Sequence, residues 1–179
     1  IIAENWFTAK GLVGIFPANA VNDDDIQLDY NGQAATFLTL RQQSKKTAGA
    51  PNIALADFIA PQASGIQDYI GCFCVTTGFG VDEKAAEFEK ALDDYHAIMT
   101  KALADRLAEA FAEYLHLKVR KEIWGYASDE QLDNQALIDE QYKGIRPAPG
   151  YPACPDHLEK PTIWKLLEVE ERLGVTLTE

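Results

Sequence analysis

The sequence lacks the features of a membrane or secreted protein. Its 179 residues contain no apolar run near the roughly 18 residues that a membrane-spanning helix needs. No basic segment followed by an apolar one opens the chain, so we expect no secretory signal. The length fits a single domain, residues 1–179, with a substantial core.

Basic side chains are scarce. The 16 lysines and arginines stand against 28 acidic residues, which gives a net charge of −12. Phosphate backbones and anionic membranes repel such a chain, so we expect neither nucleic acid nor membranes as partners. An acidic protein partner would need a local basic patch, for which Lys118, Arg120 and Lys121 are the candidates. A solvated helix end is the more ordinary interpretation of these three residues.

Cysteine is also scarce, and the sequence has no CxxC or HxxxH spacing. Cys72 and Cys74 would share one face of a strand, and that spacing does not form a normal disulfide. Cys154 makes the cysteine count odd. We therefore expect reduced thiols, a cytoplasmic location and no metal site in this segment.

The first half of the sequence is predicted to be rich in β-structure. Apolar or alternating runs, separated by turn-forming residues, predict strands at 12–16, 26–30, 36–40 and 68–77. The spacings of these strands favour an antiparallel meander over βαβ units.

The second half is predicted to be helical. Between Glu83 and Lys121 no proline or glycine occurs and apolar residues recur at helical spacing, which predicts one long helix with Asp82 as its N-cap. Such a helix would span about 60 Å, so a kink or break is an open alternative. Further helices are predicted at 129–141, capped by Ser128, and from Pro161 to Gly174. The expected fold class is α+β, a twisted antiparallel meander with long helices packed on it.

A stiff loop between the last two predicted helices carries the densest chemistry. Residues 146–157 include four prolines, so this segment is neither helix nor central strand. Arg146 can clamp a carboxylate through two parallel hydrogen bonds, and loops are where ligands are commonly met. On composition alone, a proline-rich linker is an equally good interpretation.

The run from Gly144 to Pro155 closely resembles the S-adenosylmethionine-binding loop of the activation domain of cobalamin-dependent methionine synthase. Further blocks match that family in the same order, at 14–19, 40–43, 55–58, 68–71, 101–110 and 164–170. Because these blocks span nearly the whole chain, it is identified as a member of that family, with a methionine synthase activation-domain-like fold.

The resemblance implies ligand-binding roles for residues of the loop. Arg146 would hold the carboxylate of S-adenosylmethionine, and the backbone of Ala148 would meet the adenine edge. Gly150 would allow close approach, and Tyr151 would cover a planar group. His157 would lie near the cofactor-facing surface, although a loop anchor is an equal alternative.

Two acidic residues outside the loop are implied to lie near the sulfonium cation. They are Glu109, on the predicted long helix, and Glu140, six residues before Arg146. On pattern alone, each is an ordinary exposed helix acid.

The family's function implies a reactivation module that supports reductive methylation of cob(II)alamin, and thereby methionine biosynthesis. Its implied partners are the cobalamin-binding domain of the same polypeptide and flavodoxin or a related flavoprotein reductase. Cobalamin would be bound mainly by another domain, and zinc would belong to the full protein only. The nucleophile is cobalt, so we expect no catalytic residue here. The chain would be part of a methyltransferase without turnover of its own.

Two alternatives from other functional classes stay open at the level of residues. A free-standing S-adenosylmethionine-dependent methyltransferase is disfavoured because Gly78-Phe79-Gly80 is only a weak match to a glycine-rich nucleotide loop. A protein-docking module with no ligand of its own is the other.

The sequence departs from the family in its extent. The family domain continues beyond both ends, where it supplies an aspartate and a tyrosine to the ligand. The chain begins at Ile1 rather than Met, and we expect it to be a fragment that binds S-adenosylmethionine weakly or not at all.

Overall fold

A mixed sheet-and-helix fold is seen in the computed structural model, which describes residues 1–178. The strands are Thr8–Val21 (β1), Asp25–Tyr30 (β2), Gln33–Leu38 (β3) and Asp68–Phe79 (β4). They form a sheet of order β3-β2-β1-β4, in which β2 pairs antiparallel with both β1 and β3. The helices are Val81–Lys90 (α1), Asp94–Lys118 (α2), Asn134–Ile138 (α3), Glu159–Leu167 (α4) and Val169–Leu173 (α5). The predicted α+β class with an antiparallel sheet is confirmed.

The chain divides into two units. The first comprises Ile1–Leu12 and Cys74–Glu130. The second comprises Val13–Phe73 and Gln131–Glu179, whose last residue lies outside the described part.

In the second unit, a tight hairpin joins β2 to β3. Tyr30 pairs with Gln33, so Asn31 and Gly32 alone form the turn. Both turn residues have positive φ angles, 52° and 75°, as a type I′ hairpin turn requires. Because this turn is so short, β3 begins three residues before the predicted strand at 36–40 and also ends earlier.

The core of the second unit lies on one face of this hairpin. Ile26, Leu28 and Phe37 are buried at alternating positions, as expected for a half-buried sheet. Further buried side chains come from α4 and α5, namely Leu166, Leu167, Val169 and Leu173.

The last predicted helix is two helices. Pro161 lies in the first turn of α4, as predicted, but the helix begins at Glu159. Glu168 takes a left-handed conformation, φ 51°, and this interrupts the helix before α5. Gly174, with φ 69°, ends α5 at the predicted position.

In the first unit, the predicted long helix is broken in two, as the open alternative allowed. Leu92 has a φ of 58°, and the Asp93 side chain accepts a hydrogen bond from the backbone of His96 at 3.1 Å. Asp93 is therefore the N-cap of α2. The predicted N-cap at Asp82 is wrong, because Gly80 occupies that place and Asp82 lies in the first turn of α1.

Apart from His116, the buried residues of α2 are small rather than the large apolar residues that its sequence pattern emphasises. Ala97, Thr100 and Ala104 are buried, whereas Tyr95 and Ile98 are mostly exposed. Thr77 of β4 donates a hydrogen bond to the carbonyl of Ala104 at 2.7 Å, which a bulky side chain on this face would obstruct.

Arg120 fits neither the candidate basic patch nor the solvated helix end that the sequence favoured, because it is fully buried in a π-helical turn at Val119–Ile123. Its guanidinium makes two bonds to the Glu130 carboxylate, at 2.8 and 2.7 Å, and a third to Nδ1 of His116 at 2.7 Å. Lys118 pairs with Glu122 at 2.6 Å. The buried ion pair of Arg120 and Glu130 belongs to the core of the unit, not to a docking surface.

The predicted helix at 129–141 is much shorter than expected. Only Asn134–Ile138 is helical, and its N-cap is Asp133 rather than Ser128. The Asp133 side chain accepts from the backbone of Ala136 at 2.8 Å, which starts the helix one turn later.

Candidate functional site

The stiff loop begins with a tight turn at residues 148–151. The amide of Tyr151 donates to the carbonyl of Ala148 at 3.0 Å. Pro149 and Gly150 occupy the two central positions, and Gly150 has a φ of 102°. This arrangement matches a type II turn, whose third position needs a positive φ. One lone pair of the Ala148 carbonyl is therefore already used within the loop.

A second turn closes on the first. Cys154 donates its amide to the Tyr151 carbonyl at 2.8 Å, and Gly150 donates to the Cys154 carbonyl at the same distance. Ala153 and Cys154 are buried, whereas the Tyr151 side chain is 64% exposed. The hydrogen bonds of the two turns thus fix the backbone at Tyr151, while its aromatic ring remains exposed.

The side chain of His157 packs over Gly150. A β-carbon built on Gly150 would lie 2.5 Å from Cε1 and 3.0 Å from Nε2 of His157. The carbonyl of His157 accepts from Lys160 at 3.1 Å, so the histidine is joined to the first turn of α4. The His157 ring therefore contacts the backbone of its own loop at Gly150.

Arg146 lies at the head of the loop and is partly buried. Gly144, two residues before it, has a φ of 88°, so the chain turns sharply as it leaves Tyr142, which is buried. A partly buried guanidinium next to a rigid turn is suited to binding a carboxylate, because desolvation strengthens charge-assisted hydrogen bonds.

Comparisons with known proteins identify the family of the chain. The model of the vitamin B12 dependent methionine synthase activation domain matches residues 1–179.

The chain belongs to this family.

A solved structure, the crystal structure of the MetH reactivation domain bound to AdoHcy, is similar to it with a TM-score of 0.88 and 56% sequence identity. The match covers 99% of this chain and 55% of that one, so this activation-domain chain spans about half the length of its solved relative. The predicted family is confirmed, and the two alternatives are not favoured.

The two predicted acids lie on different units of this activation-domain chain. Glu140, in the second unit, is exposed and follows α3 with a φ of 54°, so it lies outside the helix in which it was predicted. Glu109, in the first unit, is exposed on α2 and pairs with Arg106 at 2.9 Å.

Sequence reasoning missed Glu159, the first residue of α4. Its side chain is only 3% exposed and accepts from the backbone amide of Leu38 at 2.7 Å. Burial raises the pKa of Glu159. Burial also raises the thiol pKa of Cys72 to about 12 and that of Cys154 to about 11, and the nearby negative charge of Glu159 adds to both increases. Both thiols are therefore protonated and poor nucleophiles near neutral pH. Nothing in the sequence distinguishes Glu159 from an ordinary first-turn acid.

The ion pair of Arg41 and Asp57 was also missed. Both residues lie in blocks that match the family, but the pattern assigned them no role. The guanidinium bonds the carboxylate at 2.7 and 2.8 Å.

Membrane-spanning helices and metal-binding clusters are both absent from the part of the chain that the structure describes. Within residues 1–178, no helix is long and apolar enough to cross a membrane. The same residues contain no group of three or more His, Cys, Asp and Glu that is arranged to hold a metal ion.

Proposed function

We propose that this chain is the S-adenosylmethionine-binding part of a reactivation module in cobalamin-dependent methionine synthase. Its relative holds AdoHcy, which is what S-adenosylmethionine becomes when it gives up its methyl group. The observation that carries the proposal is the doubly closed turn under His157, which holds Gly150 and Tyr151 in a fixed position next to Arg146 in sequence.

Each loop residue has a proposed task. Arg146 holds the ligand carboxylate, and the backbone of Ala148 meets the adenine. Gly150 admits the ligand against the main chain, Tyr151 covers a planar group, and His157 holds the turn from one side. Glu109 and Glu140 provide negative charge for the sulfonium.

The wider role is also a proposal. Cobalamin would be held mainly by another domain of the same polypeptide, and its cobalt would supply the nucleophile for the methyl group. Flavodoxin or a related flavoprotein supplies the electron for reductive methylation in the cytoplasm, and zinc belongs elsewhere in the full protein. This chain contributes positioning and charge, so by itself it is a methyltransferase part without turnover.

Calorimetric titration of the full-length protein with S-adenosylmethionine and AdoHcy tests the proposal. Arg146→Ala should weaken binding of both ligands by about 1.5–3 kcal/mol, the range for a lost charge-assisted hydrogen bond. The affinity of Arg146→Lys should lie between those of wild type and Arg146→Ala, because lysine keeps the charge but lacks the planar fork of hydrogen-bond donors. Arg172→Ala, which breaks an exposed pair with Glu168, is the control. A wild-type protein that binds neither ligand, or an unchanged affinity in Arg146→Ala, contradicts the proposal.

A further inference from the structure

A hydrogen bond from a distant segment holds the backbone of the loop at Ala153. The buried carbonyl of Ala153 accepts from the amide of Leu55, with 2.9 Å between nitrogen and oxygen. Ala153 lies inside the turn that Tyr151 and Cys154 close. The position of Leu55 therefore affects how that turn is oriented.

Leu55 begins a 3₁₀ turn, Leu55–Phe58, that is stabilised by Asp57. Oδ2 of Asp57 accepts from the amide of Ala54 at 2.9 Å, and Ala54 is fully buried. The carboxylate thereby fixes the residue immediately before Leu55. The direction in which the Leu55 amide points then depends on where Asp57 is held.

Arg41 holds Asp57 in place. Its Nη1 bonds Oδ2 at 2.7 Å and its Nη2 bonds Oδ1 at 2.8 Å, a bidentate arrangement. Nη1 also donates to the carbonyl of Asn52 at 2.9 Å. Arg41 lowers the pKa of Asp57, chiefly through this hydrogen bonding, so the carboxylate stays charged. The planar guanidinium makes these bonds together, and an ammonium group does not reproduce them.

We propose that Arg41 and Asp57 are a positioning pair for the S-adenosylmethionine loop. The pair sets the Leu55 amide, the amide holds Ala153, and Ala153 holds the turn that presents Gly150 and Tyr151. The identity of the ligand in this inference rests on the proposed function. Neither residue needs to touch the ligand, because both act through the loop backbone.

Hydrogen–deuterium exchange in the unliganded full-length protein tests the positioning directly. Peptides that cover 148–157 should exchange about tenfold faster in Arg41→Lys than in wild type. Other peptides of the second unit should be accelerated less than these loop peptides. Asp57→Asn is a second variant, which keeps an acceptor for Ala54 but loses the charged pair. Arg172→Lys is the matched control, because Arg172 binds Glu168 at 2.8 Å in the same unit. Unchanged loop exchange, or an equal acceleration of all peptides, overturns the proposal.

Binding of AdoHcy, measured by calorimetry, supplies the second readout. Arg41→Lys should weaken it about two- to thirtyfold, the range for a residue that acts through intervening contacts. Arg172→Lys should bind as wild type does. If wild type binds AdoHcy and Arg41→Lys binds it equally well, the pair has no positioning role. If wild type does not bind, the proposed function fails, and loop exchange by itself decides the positioning.

Discussion

The imidazole of His157 packs so closely on Gly150 that any side chain there would overlap it, since a β-carbon would lie 2.5 Å from Cε1. Gly150 also has a φ of 102°, which L residues rarely adopt. Glycine is therefore required at position 150 for two reasons: the backbone angle is unfavourable for other residues, and the His157 ring leaves no space for a side chain. This contact joins the loop to the start of α4.

Gly150→Ala should destabilise the protein by more than the roughly 1–2 kcal/mol expected from backbone strain alone. The matched control is Gly49→Ala, since Gly49 has a φ of 87° but nothing within 4 Å of a β-carbon. Urea unfolding of both variants measures the difference, which reports the overlap with His157. Adding His157→Ala to Gly150→Ala should recover part of the loss. Equal losses in the two single variants would show that the ring moves away at no cost.

Glu109→Gln and Glu140→Gln should each reduce the preference for S-adenosylmethionine over AdoHcy. Only S-adenosylmethionine carries the sulfonium charge, and one exposed carboxylate about 4 Å from it corresponds to about a fivefold effect. The measurement is the ratio of the two dissociation constants at low salt. Glu87→Gln on α1 and Glu171→Gln on α5 are controls within the same two units. An unchanged ratio removes that residue from the proposed site.

Glu159→Gln should stabilise the protein at neutral pH but not near pH 4. The pKa of Glu159 is raised in the folded state, so its stabilising contribution is present below the ordinary carboxyl pKa and is lost as pH rises through the folded-state value. Glutamine stays neutral and still accepts from Leu38. Glu159→Ala should instead cost about 1–2 kcal/mol at pH 4, because the Leu38 amide loses its acceptor, and less at pH 7.5, where the substitution also removes an unfavourable buried charge. Urea midpoints at pH 4 and 7.5 test this, and a pH-independent effect of Glu159→Gln would contradict it.

Arg120→Ala should be among the most destabilising single changes in the first unit, at about 3–5 kcal/mol. It would leave the Glu130 carboxylate, 7% exposed, without the two bonds it receives from Arg120. Lys118→Ala, at the end of α2, removes an exposed pair and should leave the unfolding midpoint nearly unchanged. Denaturant unfolding compares the two. A small effect of Arg120→Ala would show that water reaches Glu130.

The 179-residue chain by itself should bind S-adenosylmethionine more weakly than a longer form with the aspartate and tyrosine that the family implies. Two missing polar contacts at about 1–1.5 kcal/mol each correspond to some tens- to hundredfold in affinity. Parallel titrations of the two forms provide the measurement. Equal dissociation constants would show that the Arg146 loop supplies the affinity unaided.

Local chemistry made part of this fold predictable. The turn residues Asn31 and Gly32, the proline at 161 and the glycine at 174 act on the backbone next to them, so their effects appear in the sequence. The rigidity of the loop at 146–157 follows in the same way from its prolines. The family is also evident from the order of its motifs.

Helix bounds and burial were less predictable. The break at Leu92 and the late start of α3 depend on side-chain caps at Asp93 and Asp133, which compete with helix-forming neighbours of similar propensity. The buried side of α2 could not be predicted from its large apolar residues, because small residues face the core while Tyr95 is exposed.

The sequence by itself therefore determined the family, the fold class and a stiff loop with Arg146 at its head, because these depend on local backbone limits and on motif order. Only the tertiary structure decided that Arg120 is buried, that Glu159 is held by Leu38, and that Arg41 reaches the loop through Asp57. Such relationships join residues far apart in the chain, and their energies depend on desolvation and bond geometry that exist only after folding.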